Sequence, residues 1–268
     1  MTPLIKPAAL AVAIALAALP AAALADGPRF TTDAFPSTYQ ALPATTVLIH
    51  NATVLDGAGA RLDNADVLMQ DGRIAAVGIG LEAPADAQRI DGSGKWVTPG
   101  IIDVHSHLGV YPSPGVQAHS DGNEMTAPNT AHVWAEHSVW PQDPGFAAAL
   151  AGGVTSLQIL PGSANLVGGR AVTLKNVAAT TAQAMKFPGA PWGVKMACGE
   201  NPKRVYGGKG GPATRMGNMA GHRTAFIEAA EYAAKVQAAD GKRGSGNAPR
   251  RDLKLETLAG GLEGEIIA

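Results

Sequence analysis

At Thr98-Pro99-Gly100 the sequence changes its unit of alternation. Downstream of that punctuation, short runs rich in β-branched residues alternate with longer runs of helical spacing. Residues 101–107, 154–160, 172–174 and 193–198 read as strands, and residues 146–150, 179–185, 224–239 and 253–262 as helices. In the helix at 224–239, Phe226, Ile227, Ala230 and Ala234 form the expected apolar stripe. Repeated strand–helix order implies an α/β fold, a parallel sheet with crossover helices arranged as a (β/α) TIM-type barrel. A whole barrel takes about 250 residues, and Pro99 to Ala268 is only about 170. The expectation is therefore a partial barrel over residues 99–268, stopping as a fifth strand begins at Glu265-Ile266-Ile267.

Upstream, the alternation is residue by residue. Val47-Leu48-Ile49 and residues 51–55 read as one strand, followed by the turn dipeptide Asp56-Gly57. Residues 66–70 and 73–77 flank Asp71-Gly72, a hairpin signal, and Lys95-Trp96-Val97 adds a further strand. These short strands predict a small β-sandwich within residues 26–98. The first 25 residues have another character. Lys6 precedes an apolar run at 8–23, and Ala23-Leu24-Ala25 stands before Asp26. That is the layout of a cleaved signal peptide, so the chain is expected to be exported, periplasmic or secreted. The run contains Pro20 and is shorter than the ~20 residues a span requires, which argues against a stable membrane anchor.

Composition narrows the partners. With 21 Lys+Arg against 22 Asp+Glu there is no electrostatic case for nucleic acid. Cys198 is the only cysteine, so no internal disulfide can form. A homo-oligomer is left open.

The chemistry is concentrated at His105-Ser106-His107. Alternate residues of a strand share a face, so both imidazoles project the same way, and near the C-terminal end of a barrel strand they reach its mouth. Two neutral imidazoles at that spacing can hold one Zn²⁺-like ion. Asp103 has the same parity and is a candidate carboxylate behind them. Other histidines read as structural: His119, His132 and His137 lie in a long excursion after the first strand, His222 at a helix start, and His50 in the sandwich. Residues 162–170 read as a glycine-containing loop that is not a phosphate loop. Arg170 in that loop, and Lys203, Arg204 and Tyr206 in another, are candidate contacts for a substrate carboxylate.

The run Pro99-Gly100-Ile101-Ile102-Asp103-Val104-His105-Ser106-His107 resembles the first barrel strand of the amidohydrolase superfamily. Ile49-His50-Asn51-Ala52-Thr53-Val54 and Asp71-Gly72-Arg73-Ile74 are similar to that family's entry domain, and Gly152-Gly153-Val154-Thr155-Ser156 to its second strand. The nearest subgroup is the exported, imidazolonepropionase-like amidohydrolases. The resemblance implies a metal-dependent hydrolase of carbon–nitrogen bonds other than peptide bonds, with His105 and His107 as metal ligands. Gly193-Val194-Lys195-Met196-Ala197-Cys198 resembles the strand that carries a carboxylated, metal-bridging lysine in dipeptidase-like relatives, and Glu200 is the rival third ligand. Lys195 and Glu200 have opposite parity, so a straight strand cannot aim both inward. The implied cofactor is one or two divalent ions, zinc by donor type. The implied partner is a small molecule with an amide or cyclic C–N bond. The family pattern also calls for a histidine on each of the fifth and sixth strands and an aspartate at the end of the eighth, which this sequence does not supply. A dipeptidase-like enzyme and a non-catalytic fragment are the alternative readings.

Overall fold

The structure is a computed structural model that describes residues 30–239 and 248–268. The signal-peptide expectation for residues 1–25 lies outside the described residues. Among the described residues no helix is long and apolar enough to cross a membrane.

The first unit is a single sheet built from β1 (Val47–Leu55), β2 (Arg61–Gln70), β3 (Arg73–Gly78), β4 (Gln88–Asp91) and β5 (Trp96–Val97). Its order is β3-β2-β1-β4, with β5 also pairing β1. The β2–β3 connection is Asp71-Gly72, both at positive φ (53° and 70°), the backbone twist a two-residue hairpin demands. Asn51 also has positive φ (60°), within an irregular stretch of the β1–β2 register between Ile49 and Val54. Asp66 answers that irregularity by accepting from the Asn51 and Leu81 backbone N–H groups at 3.0 and 2.9 Å. The sandwich expectation is corrected here: the described strands form one sheet whose apolar face, Ala52, Val54, Ala65 and Val67, is closed by Ile49, Leu62, Met69 and Val97. Parity alone does not say whether a second sheet faces the first.

The second unit begins at β6 (Ile101–Ser106) and continues through α1 (Pro144–Ala151), β7 (Val154–Ile159), β8 (Val167–Lys175), α2 (Ala182–Met185), β9 (Trp192–Met196), α3 (Glu200–Tyr206), α4 (Arg215–Ala238), α5 (Leu253–Leu262) and β10 (Ile266–Ile267). The sheet order is β10-β9-β8-β7-β6. Strands β6 and β7 are parallel, as are β9 and β10, but β8 runs antiparallel to both β7 and β9. The wholly parallel sheet expected from the sequence is thus corrected to a mixed one. Its cause is local: residues 167–170, read as loop because of Gly168 and Gly169, extend the strand and are buried on both faces. Gly169 has φ +119°, and a Cβ there would stand 2.5 Å from the Val133 carbonyl oxygen. Glycine lets the excursion after β6 cross against β8.

Helices α4 and α5 cover one face of this sheet, placing Ala225, Ala229 and Leu258 against Leu174, Trp192, Val194 and Ile266. The stripe expected for α4 is corrected. The helix starts at Arg215, and its buried residues are Asn218, His222, Ala225, Ala229, Tyr232, Ala233 and Val236, while Ile227, Ala230 and Ala234 face solvent. Residues 30–39, grouped with the first sheet by sequence, lie instead along the second unit. Phe30 packs with Tyr232, Ser37 donates to the Lys186 carbonyl, and Lys186 bridges Asp33 and the buried Glu136 at 2.9 and 2.8 Å.

Candidate metal centre

Strand β6 ends at Ser106, and its end is tied to that of β7 by Leu160 N–H donating to the Ser106 carbonyl at 2.9 Å. The next residue, His107, places ring Nδ1 2.8 Å from the Leu160 carbonyl oxygen. A carbonyl can only accept, so Nδ1 carries a proton, and in the neutral ring Nε2 keeps its lone pair. That is the tautomer a metal ligand needs, set by the bond its other nitrogen makes. The His105 ring lies edge-on to it, centroids 5.3 Å apart. Asp103 accepts from the His105 backbone N–H at 3.0 Å; it steadies the strand end instead of holding the ring.

Lys195, near the C-terminal end of β9, reaches across to this pair. Its Nζ is 2.9 Å from His105 Nε2. The lysine next to the histidine holds the His105 pKa below the ordinary value, with burial and His107 adding to the effect. Burial lowers that of Lys195. Both directions favour neutral nitrogen donors, so the set suits a borderline divalent cation. Glu200 is not brought into this cluster. It begins α3 with a largely exposed side chain paired to Lys203 at 3.1 Å. Among the described residues no group of three or more His, Cys, Asp or Glu side chains converges as a metal site, so the cluster stands on two imidazoles and a lysine.

His107 opens on a cleft of about 320 Å³ that Tyr111, Asn123, Asn201 and Arg204 also line. Arg204 keeps its candidacy as a polar contact there. Tyr206 does not: it is buried, its hydroxyl donating to the Ala127 carbonyl and meeting Asn165. Arg170 is buried on β8 and is no loop cation. The other histidines stand elsewhere. His222 lies inside α4, bonded to the Ala197 carbonyl at 3.1 Å, and His137 stacks on Trp134. Two residues that sequence reasoning passed over position the centre. Asp143 caps α1 through Gly145 N–H while accepting from Gly109 N–H, which pins the turn after His107. Its signal was the Asp-Pro start of α1. Asn123 joins the loop to Ala164 N–H and the Tyr111 hydroxyl, with no comparable sequence cue.

The amidohydrolase tasK of Hapsidospora irregularis is 36% identical over 223 residues, 75% of this chain and 22% of that protein. The crystal structure of an amidohydrolase from Thermotoga maritima MSB8 matches with a TM-score of 0.73 and 40% identity, across 81% of this chain and 55% of that one. The chain belongs to the amidohydrolase superfamily. A dihydroorotase of Syntrophotalea carbinolica is 33% identical over 144 residues, 53% of this chain and 28% of that enzyme. No family model matches. The chain thus spans about a quarter of the length of the curated relatives it matches. Within this chain of the superfamily, His105 and Lys195 stand on β6 and β9, and His107 follows β6 directly.

Proposed function

We propose that this chain carries part of the site of a divalent-metal-dependent hydrolase of C–N bonds other than peptide bonds, with His105, His107 and Lys195 as ligands. The single observation that carries this reading is the meeting of Lys195 with the His105–His107 pair. Relatives named amidohydrolase and dihydroorotase support the reaction class. The placement of all three groups near the ends of β6 and β9 supports reading the second sheet as part of a (β/α) barrel wall, whose sites gather at that end.

The donors fit a metal. His107 offers Nε2 because Leu160 occupies Nδ1, and His105 offers a nitrogen kept neutral by Lys195. Lys195 itself must not remain a cation beside the ion. Its neutral amine adds to carbon dioxide, forming an N–C bond and releasing one proton, which leaves an anionic carbamate oxygen. A divalent ion, when bound, polarises the substrate carbonyl and lowers the pKa of water toward about 7. Zinc matches imidazole and carboxylate-type oxygen donors. In the adjoining cleft, Asn123, Asn201 and Arg204 offer polar contacts that orient a small cyclic amide or N-acyl compound. Residues 1–25 direct export, on the strength of Lys6, the apolar run and Ala23-Leu24-Ala25.

The test is turnover, by the protein in which this site is complete and supplied with Zn²⁺ and bicarbonate, of dihydroorotate, a hydantoin, an N-acetyl amino acid and a set of dipeptides. Hydrolysis of a non-peptide substrate, abolished by Lys195→Ala, is expected. Turnover of dipeptides alone, or turnover indifferent to Lys195→Ala, contradicts the reading.

A further inference from the structure

Arg170 is 3% exposed and lies against two neighbouring indoles, 4.2 Å from the ring centroids of both Trp134 and Trp192, which are themselves 5.7 Å apart. It reaches them because β8 pairs Arg170 with Val194, the neighbour of Lys195. Successive strand residues point to opposite faces, so Arg170 is on the other side of the sheet from the candidate metal centre. Contact with two indoles tilted 47° to each other restrains the guanidinium, and its N–H groups are where polar partners must come.

Two of its nitrogens, Nε and Nη2, are buried and have no hydrogen-bond partner. They are the same two atoms with which Arg251 grips the Glu256 carboxylate, at 2.8 and 2.7 Å. One arginine of this region therefore has its side-on fork filled by a carboxylate, and the other has it vacant. Glu136, which offsets part of the burial of Arg170, is itself held by Lys186 at 2.8 Å. Burial brings the Arg170 pKa down to about 10, so the group is a cation at neutral pH. A buried, unpaired ionic donor costs more than a neutral one, and an in-plane carboxylate satisfies both N–H groups at once.

Arg170 forms part of the wall of a cavity of about 530 Å³, shared with Phe30, Phe35, His132, Trp134 and His137. The wall carries these aromatic rings beside the closed Arg251–Glu256 pair, and the vacant fork is cationic. We infer that this cavity is a binding site for a small aromatic monocarboxylate, the carboxylate accepting from Nε and Nη2 of Arg170. An inorganic anion leaves the aromatic wall uncovered, and a neutral arene leaves the fork unpaired.

The experiment is isothermal titration of the full chain with 2-naphthoate and with its neutral counterpart 2-naphthamide. Saturable one-site binding of the acid is expected, weaker by about tenfold or more for the amide and for the acid on Arg170→Gln. Affinity is expected to persist in the chelator-treated chain and in a His105→Ala/His107→Ala variant. No saturable binding of the acid, or equal affinity for acid and amide, overturns the inference. Loss of binding in the double histidine variant also overturns it, because it places the acid at the metal centre. If Arg170→Gln does not fold, the acid–amide pair on the unaltered chain decides.

Discussion

Lys195 Nζ lies 2.9 Å from His105 Nε2, a lysine from β9 facing an imidazole from β6 across 90 residues of sequence. Two cations cannot share that distance cheaply, and the lysine is the main reason the His105 pKa falls. Replacing Lys195 by Met removes the repulsion. In the chelator-treated chain, the His105 ring is expected to titrate at higher pH in Lys195→Met than in the unaltered protein, followed by its proton resonances. An unchanged or lower titration midpoint refutes the contact as a feature of the folded chain.

Asp143 is buried and accepts from Gly109, Gly145 and Ser113 N–H groups at 2.9, 2.9 and 3.3 Å. Asp143→Ala strands these donors and removes the cap of α1, at a cost of about 1–3 kcal/mol. The thermal midpoint is expected to fall, and metal uptake at His107 to weaken because the turn behind it loosens. Asp143→Asn retains one acceptor and is expected to lose less. An Ala variant as stable as the parent contradicts this role.

Asp66 ties the β1 irregularity to the β3–β4 connection. Burial pushes its pKa up, but the backbone N–H groups of Asn51, Leu81 and Gly80, with His50 nearby, outweigh it and leave the carboxyl below its ordinary range. A depressed folded-state pKa contributes stability that is complete above the unfolded value and is lost as pH falls through the folded one. The first sheet is therefore expected to weaken below about pH 4. Asp66→Asn is expected to lose about 1–3 kcal/mol at neutral pH, with the deficit shrinking in acid. Melts followed through Trp96 measure both, and a deficit equal at neutral and acid pH contradicts the assignment.

Local chemistry made part of this molecule readable. The Asp71-Gly72 hairpin, the β6 and β7 strands and α5 each depend on neighbouring residues, and their signals survive in a single sequence. The His105–His107 face followed from strand parity, and the choice of Lys195 from the family resemblance of its strand. The first part of strand β8 was hidden because Gly168 and Gly169 read as loop, whereas the glycine backbone serves a close crossing by Val133. The buried side of α4 was hidden because packing selects small and polar residues there, Asn218, His222 and Ala225 among them, over the larger Ile227. Arg170 was misplaced for the same reason. Its partners, Trp134 and Trp192, come from segments far along the chain, and only the folded register brings them together.

His105, His107 and Lys195 are proposed to form one metal site. Its most direct measurement is metal content by mass spectrometry of the mature chain after exposure to Zn²⁺ with and without bicarbonate. Variants Lys195→Ala, His105→Ala/His107→Ala and Glu200→Gln are carried in parallel. At least about one equivalent, raised by bicarbonate, lost in the double histidine variant, reduced in Lys195→Ala and unchanged in Glu200→Gln is the expected result. Zinc uptake that ignores both histidines, or that depends on Glu200 and not on Lys195, contradicts the account.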